Sequence, residues 1–155
     1  MAVEKLDKQE ILGFLRPEQV DRLSKVAEVV KFKAGDTVYP RGAKANYFYI
    51  VLEGQVALRL PGKEGVGLTI DDLSGGAMFG GCVSFAMDAY TLTAQCMRDS
   101  KLLKIKSSVL KGLMDEDPRM GYLIQSKISE IYFKRYAETM QKLQAIVMNM
   151  PLVTE

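Results

Sequence analysis

The side chains that most often carry out catalysis or bind metals are scarce in this sequence. There is no histidine among the 155 residues, which excludes His-ligated zinc, histidine general bases, Ser-His-Asp triads and a His-ligated haem. The two cysteines, Cys82 and Cys96, are too few for a disulfide framework or a four-cysteine cluster. Because no nucleophile with a neighbouring base is visible, we predict that the protein is not an enzyme, and we assign it no cofactor.

One segment has an unusual composition, with four glycines in the nine residues from Leu73 to Gly81. Such a density of glycine indicates positive φ angles or a close approach of the backbone to another group. The segment is not a P-loop, because no Gly-Lys-Ser/Thr follows it. It is not a dinucleotide fingerprint either, since the surrounding sequence lacks the βαβ pattern that such a fingerprint requires.

The overall composition is that of one soluble globular domain, with 48% apolar and 26% charged residues. The net charge of +2 is too small to argue for nucleic acid or an acidic membrane surface as a partner. No apolar run is long enough to span a membrane, and Met1 to Glu10 has no hydrophobic core of a signal peptide. We therefore expect a cytoplasmic protein.

The spacing of apolar residues divides the chain into zones. Helical spacing comes first, and Pro17-Glu18 is typical of a helix start, which predicts a short helical turn and then a helix to about Val26. From about 29 to 105, short apolar runs alternate with turn residues, and one run, 47–52, is apolar on both faces. Many short strands with regular turns predict a sandwich, jelly roll or barrel.

The last zone is helical. After a short amphipathic segment from Ser107 to Met114, the pair Asp117-Pro118 is typical of a helix N-cap followed by proline at the first position. A helix from there to about Met150 would be about 50 Å long, which is more than one small β domain can cover. Its apolar stripe comprises Ile124, Ile128, Ile131, Tyr132, Tyr136, Met140, Leu143 and Val147. We expect the surplus stripe to pack in a homodimer; alternatively, the helix folds back on its own domain.

Several segments together resemble the cyclic-nucleotide-binding domain of the catabolite activator (Crp/Fnr) superfamily, over about 12–150. They are Phe32-Lys33-Ala34-Gly35-Asp36, the run from Tyr47 to Val56, Leu73 through Phe79-Gly80, and Thr91 to Ala94. The resemblance implies a mainly β fold with flanking helices: an antiparallel double-stranded β-helix (jelly-roll) barrel, short N-terminal helices and a long C-terminal dimerisation helix. The implied division is 1–116 for the barrel domain, 117–150 for the long helix and 151–155 for a tail.

In that family a glutamate after Phe-Gly accepts a hydrogen bond from the ribose, and an arginine beside a hydroxyl residue pairs with the cyclic phosphate. Here the corresponding residues are Gly81, Asp88 and Ala89. Losing a charge-assisted hydrogen bond costs about 1.5–3 kcal/mol. An anion in place of the cation adds repulsion on the order of 4 kcal/mol. We therefore predict that cyclic AMP and cyclic GMP bind weakly or not at all.

The resemblance also implies a pocket whose natural ligand is unknown. Its expected lining is Leu58, Leu68, Ile70, Phe79, Gly80, Gly81, Cys82, Asp88, Ala89, Tyr90, Arg135 and Tyr136. Two interpretations of Asp88 stay open: Arg135 neutralises it across an empty or water-filled pocket, or it selects a ligand with a cationic or hydrogen-bond-donating head.

Three functions are compatible with these features. The first is a bacterial small-molecule sensor that acts as a dimer. The second is a protein–protein interaction module with a degenerate pocket that docks a separate partner. The third is a thiol redox sensor at Cys82, which falls where the family has a short helix, since a helix N-terminus favours a thiolate; the alternative is a buried apolar cysteine. The family's helix-turn-helix does not follow residue 150, so direct DNA binding is not expected unless the sequence is a truncated piece.

Overall fold

The computed structural model describes residue 13 and residues 15–80 and 88–150. Helix α1 (Pro17–Val26) begins at the predicted proline and ends at the predicted residue. The expected turn of helix before it, and the tail from 151 onward, lie outside the described residues. The strands are β1 (Ala27–Phe32), β2 (Thr37–Tyr39), β3 (Tyr47–Glu53), β4 (Val56–Pro61), β5 (Gly67–Leu73), β6 (Met78–Phe79), β7 (Thr93–Cys96) and β8 (Ser100–Lys106).

The strands form two four-stranded antiparallel sheets, in the orders β1-β8-β3-β6 and β2-β7-β4-β5. Neighbours in each sheet are mostly distant in sequence, as in a jelly roll, where the chain crosses between the sheets. Two further helices follow, α2 (Ser107–Glu116) and α3 (Pro118–Met148). The predicted mainly β fold with a long C-terminal helix is therefore confirmed.

Strand β3 contains the run 47–52, which is apolar on both faces because each face packs into a different core. Its side chains alternate between two cores because successive residues of a strand point to opposite faces. Phe48 and Ile50 belong to the core between the first sheet and the helices, whereas Tyr49 and Val51 belong to the core between the two sheets. Strand β3 is thus the shared wall between the barrel interior and the helical layer.

Helix α3 starts at the predicted N-cap. The side chain of Asp117 accepts a hydrogen bond from the backbone N–H of Met120 (3.1 Å) and another from the buried Gln19 of α1 (3.1 Å). Met120, Ile124 and Ile128 then bury their side chains in the core under the first sheet. Among the described residues, no helix is both long and apolar enough to cross a membrane.

Candidate functional site

A cavity of about 370 Å³ lies where the second sheet meets helix α3. The barrel contributes mainly apolar side chains to its wall: Tyr39, Leu58, Leu60, Ile70, Tyr90 and Leu92. Helix α3 contributes Tyr132, Arg135, Tyr136 and Thr139. The volume falls within the range of small-molecule sites, which are usually apolar with a few placed polar groups.

Tyr90 is held tightly in the barrel wall. Its hydroxyl donates a hydrogen bond to the backbone oxygen of Tyr47 (2.7 Å) and accepts one from the backbone N–H of the same residue (3.1 Å). Its ring stacks on Tyr39, with centroids 3.5 Å apart and planes 10° apart. Both bonding positions of the hydroxyl are used by the backbone, so Tyr90 contributes mainly aromatic surface to the site.

Gly80 lies on the cavity wall in a conformation that only glycine adopts easily. Its φ is +73°, and a Cβ atom there would lie 2.9 Å from the backbone oxygen of Tyr47. Gly76, with φ +95°, is also in the left-handed region. The glycine-rich segment therefore adopts the positive φ angles that its composition predicts, at Gly76 and at Gly80.

Arg135 is the charged side chain that α3 brings to the cavity wall. Its Nε donates to the Oδ2 of Asp71 on β5 at 3.0 Å, and its Nη2 donates to the backbone oxygen of Met78. The two side chains of the ion pair are only 13% and 23% exposed. The guanidinium also lies over the ring of Tyr132, 5.6 Å from its centroid. Arg135 therefore joins α3 to both sheets through β5 and β6.

Lys142, two helical turns after Arg135, forms a second polar contact between α3 and β5. The Nζ of Lys142 donates to the backbone oxygen of Ile70 at 2.5 Å. Tyr136 and Thr139 lie between the two attachments and face the cavity, as expected from the spacing of three and four residues on one helix face. Polar contacts at Arg135 and Lys142 therefore hold α3 against β5, with Tyr136 and Thr139 between them along the helix.

The residues predicted from the sequence to line the pocket do not all lie on the cavity wall. Leu58, Ile70, Gly80, Tyr90, Arg135 and Tyr136 line the cavity. Phe79 lies behind the wall, fully buried and stacked on Tyr49 with ring centroids 5.1 Å apart. Leu68 is 41% exposed and off the wall, because β4 and β5 continue past the cavity to an exposed turn. Gly81 and Cys82 lie outside the described residues.

Asp88 does not take the place expected for it. Its side chain is exposed and absent from the described cavity wall, and its backbone oxygen accepts a hydrogen bond from Ala45 N–H (2.9 Å). Ala89 pairs with Lys44 as an isolated bridge, also off the wall. The hypothesis that Arg135 neutralises Asp88 is therefore wrong for this structure. Arg135 pairs with Asp71 instead, since β5 packs against this part of α3.

Several wall residues were not predicted. Tyr132 and Thr139 were detectable, because they lie four residues before and three after Tyr136 on one helix face. Tyr39, Leu60, Thr91 and Leu92 of the barrel reach the wall through contacts between segments that are distant in sequence, which no local pattern reveals. Asp71 was missed for the same reason.

The redox prediction concerns Cys82, which lies outside the described residues, and the described cysteine is Cys96. Burial raises the pKa of the Cys96 thiol above its usual value, and a hydrogen bond from Ser100 offsets this only in part. Cys96 is a fully buried core residue, as expected of most free cysteines. Redox sensing at Cys82 stays a prediction. Within 15–80 and 88–150, no cluster of acidic or cysteine side chains is suited to hold a metal ion.

Comparison with known proteins assigns the barrel to a protein family. Residues 29–117 match the family model described as "Cyclic nucleotide-binding domain". Lysophospholipase nte1 of Aspergillus terreus is 24% identical over 131 residues, and the A. oryzae protein is 24% identical over 119 residues. These matches cover 84% and 77% of this chain but only 8% of each relative.

Solved structures show the same fold. A putative cyclic nucleotide-binding protein from Geobacter metallireducens superposes with a TM-score of 0.76 at 20% identity, covering 88% of this chain and 98% of that one. The catabolite activator protein of Thermus thermophilus gives 0.72 at 20% identity, covering 88% and 62%. The sensor domain of the transcriptional regulator DNR from Pseudomonas aeruginosa gives 0.71 at 17% identity, covering 98% and 95%.

Proposed function

This chain belongs to the cyclic nucleotide-binding domain family, and from that premise we propose that it is a non-enzymatic small-molecule sensor that acts as a homodimer. The main support is that α3, the helix that forms one wall of the cavity, also has an exposed apolar stripe. Tyr136 belongs to both, since it lines the cavity and its side chain is 60% exposed. A ligand in the cavity would therefore contact the element through which two copies would associate.

The stripe has the spacing of a coiled-coil seam. Its residues recur at alternating intervals of three and four, and each is between 40% and 72% exposed in the single chain: Phe133, Tyr136, Met140, Leu143, Val147 and Met150. We define these residues as the seam. An a/d pattern of this kind is buried by a second helix with the same pattern, and a second copy of this chain supplies one. The helical part of the seam is about 24 Å long.

Sensing requires that the ligand prefer one arrangement of the two helices over another. The hydrogen bonds of Arg135 and Lys142 hold this segment of α3 at a defined place against β5. A ligand that contacts Tyr136 or Thr139 would displace the part of the helix between these two residues. We propose that this displacement changes how the two seams pack, and that a separate protein partner detects the change.

Cyclic nucleotides are proposed not to be the tight ligands. Calorimetric titration of the full chain with cyclic AMP and cyclic GMP is expected to show no binding in the micromolar range. Asp88→Arg restores a cation at the family's position, and Asp72→Arg serves as a control of equal charge on β5. Binding by Asp88→Arg alone would support a retuned pocket, whereas micromolar binding by the unaltered protein would refute the proposal.

The second candidate is an interaction module whose cavity has no ligand. The exposed seam favours it as well, because apolar surface of this kind is typical of interfaces. Light scattering at tens of micromolar protein separates the two candidates. A dimer mass supports the seam as a contact between copies, while a monomer mass would leave the seam for a different protein.

A further inference from the structure

We propose that the ligand of the cavity is an uncharged, mainly apolar ring compound. This proposal rests on the sensor function and names the class of molecule that is sensed. It follows from the balance of charge around the cavity and from the aromatic and aliphatic side chains of its wall.

The charge of Arg135 is already neutralised. Asp71 accepts from its Nε at 3.0 Å, the Met78 carbonyl accepts from its Nη2, and the ion pair is largely buried. These partners use two of the five N–H groups of the guanidinium, and the charge of Arg135 is balanced by that of Asp71. An anion that accepted from the remaining N–H groups would lie close to the Asp71 carboxylate, which repels it.

Arg135 is the one positively charged side chain on the described part of the cavity wall. Because Asp71 balances its charge, this part of the wall has no net positive charge to offset that of an anion.

A cationic ligand is disfavoured for the converse reason. The carboxylate that reaches the cavity region from β5, Asp71, is already paired with Arg135, and a second cation beside it would be repelled by that guanidinium. Asp88 does not line the described wall. This argues against the interpretation in which Asp88 selects a cationic head.

The remaining wall suits a flat apolar molecule. The stacked rings of Tyr39 and Tyr90 and the aliphatic side chains of Leu58 and Ile70 lie on the barrel side. Aromatic ligands stack on such rings, and apolar burial contributes about 25 cal/mol per Å². A cavity of about 370 Å³ has the volume of roughly twelve liquid waters, which is room for a molecule of two or three rings.

The test uses two fluorescent probes that differ by one charge. Phenylnaphthylamine is neutral, and anilinonaphthalene sulfonate has the same ring system with an added sulfonate. We expect the neutral probe to bind the full-length protein at one site per chain, at least tenfold more tightly than the sulfonate. Equal or tighter binding of the sulfonate, or no saturable binding of the neutral probe, would overturn the proposal.

The site is assigned with a matched pair of variants, because the exposed seam also offers apolar surface. Thr139→Trp fills the cavity from a half-buried helix position, while Gln141→Trp places the same side chain on the opposite, exposed face. We expect at least a tenfold loss of the neutral probe in Thr139→Trp and none in Gln141→Trp. Unchanged binding in Thr139→Trp, with the fold verified by circular dichroism, would place the probe elsewhere and overturn the proposal.

A further variant tests whether the neutralisation of Arg135 by Asp71 excludes anionic ligands. Asp71→Asn releases Arg135 and is expected to improve binding of the sulfonate probe about tenfold, with little change for the neutral probe. Asp72→Asn removes a charge from the neighbouring exposed residue and should change neither. If Asp71→Asn leaves the sulfonate unimproved, the neutralisation of Arg135 does not set the ligand class and the proposal is overturned.

Hydrogen exchange over 133–148 separates this inference from the sensor function. If the neutral probe binds at the cavity and exchange in this segment changes, both stand. If the probe binds there and exchange is unaffected, the ligand class stands and the sensor function fails.

Discussion

The two halves of helix α3 carry similar apolar residues at similar spacing, but their surroundings differ. In the first half Met120, Ile124 and Ile128 are at most 1% exposed. In the second half Phe133 and Leu143 are 72% and 49% exposed. The period of a helix therefore predicts which residues share a face, whereas the packing of the whole chain determines whether the domain covers that face.

The physical reason lies in what each half contacts. The first half lies against α2, and the approach is close enough that a Cβ on Gly121 would lie 2.7 Å from the backbone oxygen of Met114. The second half crosses the cavity and is fastened by polar contacts at Arg135 and Lys142. The first half is therefore part of the core, whereas the second half is held to the barrel by polar contacts and leaves its apolar stripe exposed.

The largest expected effect is on stability, from a truncation in the first half. Ile124→Ala removes a fully buried side chain and should lower the free energy of unfolding by about 2–5 kcal/mol. The matched truncation in the second half, Phe133→Ala, should change it by less than about 0.5 kcal/mol per chain at concentrations where the protein is monomeric. Urea unfolding measures both, and similar losses for the two variants would remove the distinction between the halves.

The next largest effect is on the stability contributed by the ion pair between Arg135, in the second half of α3, and Asp71 of the barrel. Asp71→Ala leaves the largely buried guanidinium of Arg135 without its carboxylate and should cost about 1.5–3 kcal/mol. Asp72→Ala is the control, because Asp72 is exposed and, among the described residues, its carboxylate accepts only a long hydrogen bond from Gln55 (3.5 Å). Urea unfolding that ranks the two variants equally would contradict the role given to the Arg135–Asp71 pair.

A smaller effect is expected on association. Leu143→Glu places like charges across the proposed seam and should raise the dimer dissociation constant at least tenfold, or about 1.4 kcal/mol. Gln141→Glu adds the same charge on the opposite face and should leave association nearly unchanged. Sedimentation velocity over a range of protein concentrations distinguishes them. The proposed seam would be wrong if Leu143→Glu associated like the unaltered protein.

The smallest effect is a pH dependence at the start of α3. Hydrogen bonds from Gln19 and from the Met120 N–H hold the pKa of Asp117 below its usual value. A carboxyl whose pKa is lowered by folding contributes stability above its unfolded pKa, about 3.9, and loses it as the pH falls through the folded value.

Asp117→Asn keeps an N-capping side chain but removes the charge. It should therefore be less stable than the unaltered protein at pH 7, and the difference should shrink as the pH falls below about 4. Urea unfolding across this range measures the difference. A gap that stays constant with pH would show that the carboxylate charge does not support the helix start.

Much of the fold was predictable because it rests on local patterns. Pro17 and Asp117-Pro118 marked helix starts, since capping and proline geometry act within one turn. The run 47–52 had to bury both faces because its apolar residues do not alternate with polar ones. The glycine cluster indicated positive φ, which Gly76 and Gly80 adopt.

The site was predictable only in part. Where family resemblance aligned a residue with a strand or helix face, as for Leu58, Ile70 and Arg135, the cavity includes it. Leu68 lies two residues from Ile70 on the same strand but off the described cavity wall, because β5 continues past the cavity, and Arg135 pairs with Asp71 and not with Asp88. Such contacts depend on strand register and on the packing of α3, which arise from the whole chain.

The β-rich class, the long helix, its apolar face and the lack of histidine chemistry follow from the amino-acid sequence alone, because composition, capping and periodicity are local properties. The neutralisation of Arg135 by Asp71 and the mainly apolar lining of the described cavity wall follow only from the packing of the chain. The same packing leaves the seam residues of α3 exposed. These features depend on distances between residues far apart in the chain, such as the 64 positions that separate Asp71 from Arg135.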